Sequence, residues 1–183
     1  MRIYLLRHAR PDGVEGLCYG RKDVRANAEE TTRVARSLRT SLPSDVLEGA
    51  PIHSSPLSRC SALARELVPA RATVIAPELT EVDFGSWEGK AWDDVPRDEI
   101  DAWAEDLWGY APGGGESARS ALVRFKAWAD RLQDEGNASV MAVTHAGLIR
   151  LALSAGPADA AALTRAIPYG SMHLLVLERR TPT

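Results

Sequence analysis

Apolar and polar positions alternate along this chain in short blocks whose lengths and periods predict strands and helices in turn. Ile3-Tyr4-Leu5-Leu6 is a brief apolar run stopped by Arg7-His8, the pattern of a buried strand. Pro11-Asp12-Gly13 and Gly16 then break the backbone, so residues 9–25 read as a loop, long enough to suggest a functional one. Residues 26–42 predict a helix with Val34, Ala35, Leu38 and Leu42 on one face and Pro43 past its end. Pro51 to Pro56 predicts a short strand running into a turn, followed by a helix carrying Leu57, Cys60, Ala64 and Leu67. Thr73-Val74-Ile75-Ala76 is a further strand, ended by Pro77. Residues 78–94 are irregular, 100–108 are helical, and Ala111-Pro112-Gly113-Gly114-Gly115 is a break. The most regular helix runs over 117–133, where Ala118, Ala121, Leu122, Phe125, Trp128, Ala129 and Leu132 form one stripe. Strands follow at 140–143 and 174–177.

Strands alternating with helices predict an α/β protein, a three-layer α/β/α sandwich with a mainly parallel central sheet. The spacing between strands leaves room for crossover helices. No repeat or linker divides the chain, so residues 1–183 read as one domain, with about 78–115 as a cap over any site at the strand ends. Composition adds mostly exclusions. A hydrophobic share of 45% and a charged share of 26% are those of an ordinary soluble protein. A net charge of −3 supplies no global field for nucleic acid or an anionic membrane. No apolar stretch approaches the roughly 20 residues that span a bilayer, and the first residues lack a signal-peptide pattern. Cys18 and Cys60 make neither a disulfide framework nor a zinc spacing. The expectation is a reduced, cytoplasmic protein with no nucleic-acid or membrane partner, and an assembly of identical copies is left open.

The chemistry sits at strand ends. Arg7-His8 closes the first apolar run, and Thr144-His145-Ala146-Gly147 closes Val140-Met141-Ala142-Val143. In an open α/β sheet, ligands bind outside the carboxyl ends of the strands, so both imidazoles would face one crevice. An arginine beside a histidine suggests phosphate, because the planar guanidinium matches two phosphate oxygens. Arg59, at a helix start after Ser54-Ser55-Pro56-Leu57-Ser58, would meet the same anion together with free helix N–H groups. A zinc site built from the two histidines and a glutamate is disfavoured, since the cation would sit among fixed positive charges.

This constellation resembles the histidine phosphatase superfamily, with its phosphoglycerate-mutase-like fold. The elements that carry the likeness are Arg7-His8-Ala9, Ser54 to Arg59, Glu81-Val82-Asp83-Phe84-Gly85-Ser86-Trp87-Glu88-Gly89, and Thr144-His145-Ala146-Gly147, in the family's order. The resemblance implies a metal-free, cofactor-free phosphoryl transfer in two steps. His8 would be the nucleophile and Glu81 the proton donor and later the base, while Arg7, Arg59 and His145 would bind the phosphate. Glu81 is selected by family spacing alone, because Glu78, Asp83 and Glu88 crowd the same segment. A narrower likeness, Cys18-Tyr19-Gly20-Arg21-Lys22-Asp23, is to the α-ribazole phosphatases of cobalamin nucleotide-loop assembly. It makes Tyr19 and Arg21 substrate contacts and α-ribazole 5′-phosphate the expected partner, a small phosphorylated metabolite. The alternatives are phosphoserine or a sugar phosphate as substrate, a phosphoglycerate mutase, or a non-catalytic phosphate-binding domain.

Two departures from the family pattern stand out. Ala9 replaces the usual glycine, so a Cβ would crowd the phosphate, and Arg10-Pro11-Asp12-Gly13-Val14 lacks the customary acid, threonine and asparagine. Glu116-Ser117 reads first as a helix start and only second as a substrate contact, and His53 and His173 read as structural. Trp87, Trp92, Trp103 and Trp108 are expected to pack the cap.

Overall fold

The computed structural model describes residues 1–157 and 159–178. Among them, strands β1 (Arg2–Arg7), β2 (Ile52–Ser54), β3 (Thr73–Ile75), β4 (Ser139–Thr144) and β5 (Met172–Val176) form one sheet in the order β3-β2-β4-β1-β5. The first four are parallel, and β5 closes the β1 edge antiparallel. The helices are α1 (Ala28–Ser41), α2 (Ser44–Gly49), α3 (Ser58–Leu67), α4 (Arg97–Glu105), α5 (Ala118–Asp134), α6 (Ala146–Leu153) and α7 (Ala160–Thr164).

Both faces of the central strands are covered, which is why their sequences are continuously apolar. On one face Ile3, Leu5, Val140 and Ala142 join Phe125 and Trp128 of α5 and Leu148 of α6. On the other, Tyr4, Leu6, Met141 and Val143 meet Val34 and Leu38 of α1 and Leu63 of α3. The result is the expected three-layer sandwich. Each fully buried Leu or Ile contributes roughly 1.5–3 kcal/mol of transfer free energy.

Helix boundaries differ from the sequence expectation where side chains cap them. Asn27 accepts from the Glu30 amide at 2.8 Å and Ser117 from the Ser120 amide at 3.2 Å, so these residues stand just outside α1 and α5. α4 spans 97–105 rather than 100–108, because the Asp106 carboxylate accepts from the Trp108 and Gly109 amides at 3.2 and 2.7 Å and takes the chain out of the helix. The sequence reading lacked α2, α6 and α7. They have 6, 8 and 5 residues, too short for a helical period to stand out.

Residues 77–115 hold α4 and several single 3-10 turns around an aromatic cluster. Trp92 and Trp103 stack at 6.3 Å, and Phe84 stands edge-on to both at 5.8 and 5.9 Å. Trp108 instead joins the core beside Phe125 and Trp128. The glycine break clasps this segment shut. Gly85 and Gly113 both have left-handed φ, and a Cβ on Gly85 would lie 2.2 Å from the Gly113 carbonyl oxygen, so only hydrogen fits there. Among the described residues no helix is long and apolar enough to cross a membrane.

Candidate active site

Strand pairing sets two imidazoles side by side. Arg7 is opposite Thr144 in the register, and the His8 amide continues the pattern by donating to Thr144 O at 3.2 Å. His8 and His145 therefore leave adjacent strands together, with ring centroids 5.1 Å apart. The His8 Nδ1 lies 2.7 Å from the Ala9 carbonyl oxygen. A carbonyl can only accept, so Nδ1 carries the proton and Nε2 keeps its lone pair. Burial first, then the positive charge of Arg59 and of Arg7, hold the His8 pKa well below the ordinary histidine value. His145 is completely buried, with Nε2 2.8 Å from Ser55 Oγ and 3.4 Å from Cys60 Sγ. Burial, then Arg59 and His8, push its pKa down as well. Both rings are neutral at pH 7. The methyl of Ala9 packs with Leu6 and Val34 on the α1 face and does not line the crevice described below.

The two arginines are held by backbone and by tyrosine. Arg59, 1% exposed, donates from Nη1 to Lys22 O at 2.9 Å and from Nη2 to Gly20 O at 2.7 Å. Asp23 accepts from the Ser58 amide and hydroxyl, both at 2.8 Å, and so caps α3 one residue before Arg59. The 18–23 run thus wraps the arginine. Arg7 donates to Ile167 O, and its Cζ lies 3.6 Å from the ring centroid of Tyr169. Tyr19 stands 5.3 Å from Arg59 Cζ in the same manner, and the two phenol oxygens are 2.6 Å apart. Burial and the bond to Tyr169 raise the Tyr19 pKa, so the phenol stays protonated. Among the described residues, the buried Nε atoms of Arg7 and Arg59 have no hydrogen-bond partner.

A crevice of about 300 Å³ opens onto Arg7, His8, Tyr19, Arg59, Glu81 and Tyr169. Glu81 lines it from irregular chain, and its placement is over-determined. Its carboxylate accepts from the Val82, Gly147 and Leu148 amides at 3.0, 2.9 and 3.0 Å, the last two at the start of α6. Its backbone is fixed by Arg124, which donates to Glu78 O and Glu81 O at 2.6 and 3.1 Å, and by Thr144, whose hydroxyl donates to Leu79 O at 2.6 Å. A Cβ at Gly147 would sit 2.5 Å from the Glu81 carboxylate, which explains a glycine after His145-Ala146. The neighbouring acids are engaged elsewhere: Glu78 with Arg131, Asp83 with the Gly85 amide, Glu88 with the amides of Arg21 and Lys22.

The structure brings together His8, His145, Arg7, Arg59, Glu81 and Tyr19. It places Arg21 outside, in ion pairs with Asp83 at 3.6 Å and Glu116 at 3.4 Å, and it ties Glu116 to Arg124 at 2.8 Å. His53 accepts from the Trp128 indole at 3.3 Å, beneath the sheet. Two crevice residues escaped the sequence reading. Tyr169 stands in the turn before β5, where Gly170 N donates to His8 O at 3.2 Å, and no local motif announces it. Arg150 follows Ala146 by four residues on α6, so helical spacing from the His145 element was the one available signal.

Comparison with known proteins agrees with this geometry. The chain matches the profile of the histidine phosphatase superfamily (branch 1) over residues 3–183. It is similar to the bifunctional protein Rv2228c of Mycobacterium tuberculosis, 35% identical over 118 residues that cover 58% of this chain and 32% of that protein. It therefore spans about a third of that relative's length. It is also similar to the adenosylcobalamin/alpha-ribazole phosphatase of Escherichia coli, 28% identical over 84% of this chain and 78% of that one. The alpha-ribazole phosphatase structure from Shigella flexneri superposes with a TM-score of 0.82 at 25% identity, covering 98% of this chain and 92% of that one. The fold is the phosphoglycerate-mutase-like one.

Proposed function

The chain belongs to the histidine phosphatase superfamily, branch 1, and from that premise we propose that it is a phosphomonoesterase working through a phosphohistidine on His8. The observation that carries this reading is a neutral, buried imidazole with a free Nε2, set 5.1 Å from a second histidine in a crevice walled by Arg7 and Arg59. The arginines and His145 hold the phosphoryl oxygens, neutralising the charge that would otherwise repel a nucleophile. His8 Nε2 forms the N–P bond as the bond from phosphorus to the alcohol oxygen breaks, and Glu81 gives that oxygen a proton. Three amides hold the Glu81 carboxylate in place at the crevice wall for that transfer. Water then attacks phosphorus, Glu81 takes its proton, the N–P bond breaks and phosphate leaves. Fixed cations make a metal unnecessary for these steps.

Within that reaction, the substrate is α-ribazole 5′-phosphate. The named activity of the Escherichia coli relative and of the Shigella structure, together with the Cys18 to Asp23 run around Arg59, supports this choice. Phosphate release from α-ribazole phosphate, phosphoserine, sugar phosphates and 3-phosphoglycerate, measured with a chelator present, tests it. The expected result is turnover that is fastest with α-ribazole phosphate, and a phosphorylated His8 trapped by an alkaline denaturing quench. Isomerisation of 3-phosphoglycerate without net release would indicate a mutase, and binding without turnover of any ester would overturn the enzymatic reading.

A further inference from the structure

Arg59 is gripped by two carbonyls, and the stretch of chain that supplies them is itself held by an acid. Its Nη2 donates to Gly20 O at 2.7 Å and its Nη1 to Lys22 O at 2.9 Å. The Glu88 carboxylate accepts from two amides of the same stretch, those of Arg21 and Lys22, at 2.6 Å each. Gly20 O and the Arg21 amide belong to one planar trans peptide, whose carbonyl and N–H point in opposite directions. Guanidinium and carboxylate therefore hold a single peptide group between them, each bonded to one edge of it. Hydrogen bonds to charged groups at both edges polarise such a unit and strengthen one another.

Glu88 is fixed for this task by its own surroundings. Its Oε1 also accepts from the Phe84 amide at 3.1 Å, and its backbone amide donates to Gly85 O at 3.1 Å. The Gly89 amide donates to Cys18 O at 2.7 Å and the Cys18 amide to Lys90 O at 2.9 Å, which laces residues 88–90 to the start of the 18–23 run. Trp87 and Cys18, both fully buried, share one apolar cluster with Val95. The approach is close enough to demand glycine at position 20, where a Cβ would stand 2.0 Å from Val82 O and 2.7 Å from Glu88 Oε1.

We propose that Glu88 is a positioning residue for phosphate binding: through the Gly20 and Lys22 carbonyls it sets the aim of Arg59 into the crevice. The proposal rests on the phosphate-binding part of the reading above and adds the group that keeps one of its cations in place. Among the described residues that line the crevice, Arg59 is present and Glu88 is not, so the acid acts only through the arginine. A carboxylate bonded directly to Arg59 would orient it but would compete with phosphate for its charge. Neutral carbonyls orient it without that competition, and an acid one peptide away keeps the carbonyls from turning.

The test is binding of inorganic phosphate, by calorimetry, to the wild-type chain, Glu88→Gln, Arg59→Lys and the double variant. Glu88→Gln keeps the size of the side chain but removes its charge and sets an NH₂ group against an amide donor. It is expected to bind phosphate about tenfold more weakly than the wild type. In the Arg59→Lys background the same change is expected to cost less than about twofold, since a lysine lacks the fork that takes both carbonyls. Unchanged affinity in Glu88→Gln, or an equal loss in both backgrounds, overturns the proposal. Should Arg59→Lys fail to fold, side-chain nitrogen NMR of Arg59 replaces it: a signal that Glu88→Gln does not shift overturns the proposal as well. Hydrolysis of nitrophenyl phosphate is measured beside it. Phosphate binding that depends on Glu88 without turnover keeps this proposal and defeats the phosphatase reading, whereas turnover with binding indifferent to Glu88 does the reverse.

Discussion

His8 and His145 hang from β1 and β4, whose backbones are paired through every position from Arg2–Ser139 to Arg7–Thr144, whereas Glu81 and Tyr169 stand on irregular chain. The sheet-borne pair is positioned by backbone that serves the core anyway. The loop-borne pair needs dedicated partners: three amides, Arg124 and Thr144 for Glu81, and Arg7 and Tyr19 for Tyr169. A group that must stay aimed at one atom is placed on the rigid half. The carboxylate proposed to give and take a proton stands on irregular chain, held by its own hydrogen bonds.

Mutation should separate the halves. His8→Ala is expected to lower kcat/KM by about 10⁴-fold or more, because it removes the imidazole that is proposed to form the covalent intermediate. A variant with even a tenth of wild-type activity would remove the sheet-borne nucleophile from the account. Glu81→Gln should cost about 10²–10⁴-fold with alkyl esters and far less with nitrophenyl phosphate, whose leaving group needs no proton. Equal losses with both ester types would show that Glu81 holds structure and transfers no proton.

Acid should loosen the sheet-borne half. Both histidines have folded pKa values below their unfolded ones, so the unfolded chain binds more protons as pH falls. The stability concerned is fully present above the unfolded value of about 6.5 and is lost as pH drops toward the folded values, by up to about 1.4 kcal/mol per pH unit for each ring. Urea midpoints at pH 7.5, 6.5 and 5.5 measure it, and no decline between the last two would contradict the burial argument. The smallest effect expected is that of Tyr169→Phe, which keeps the ring over Arg7 but cuts the bond to Tyr19. About 1 kcal/mol, or fivefold weaker inhibition by inorganic phosphate with little change in kcat, is the outcome that fits an orienting role. A fall in kcat alone would not.

The same division governs what could be read from the chain. β1, β4 and α5 were legible because a continuous apolar run and a helical stripe each leave a pattern of their own. Arg7, His8 and His145 came with them, as residues that end such runs. Glu81 was different. Glu78, Asp83 and Glu88 are its equals in composition, and what sets it apart is which carboxylate reaches the amides of Gly147 and Leu148, more than sixty positions on. Tyr169 and Arg150 were missed because their meaning is tertiary: each becomes a wall of the crevice only when β5 and α6 lie against β1. Arg21 resembled a substrate contact by motif, yet Asp83 and Glu116 take its side chain.

The position of β1 between β4 and β5 has a consequence for how the molecule is made. Among the described residues its partners are 139–144 and 172–176. Joining them closes loops of well over a hundred residues, an entropic barrier that slows folding. Until residues 139–144 and 172–176 have been made, Ile3 to Leu6 lacks these partner strands. The His8 ring is therefore aligned with His145 only once residues 139–144 can pair with β1.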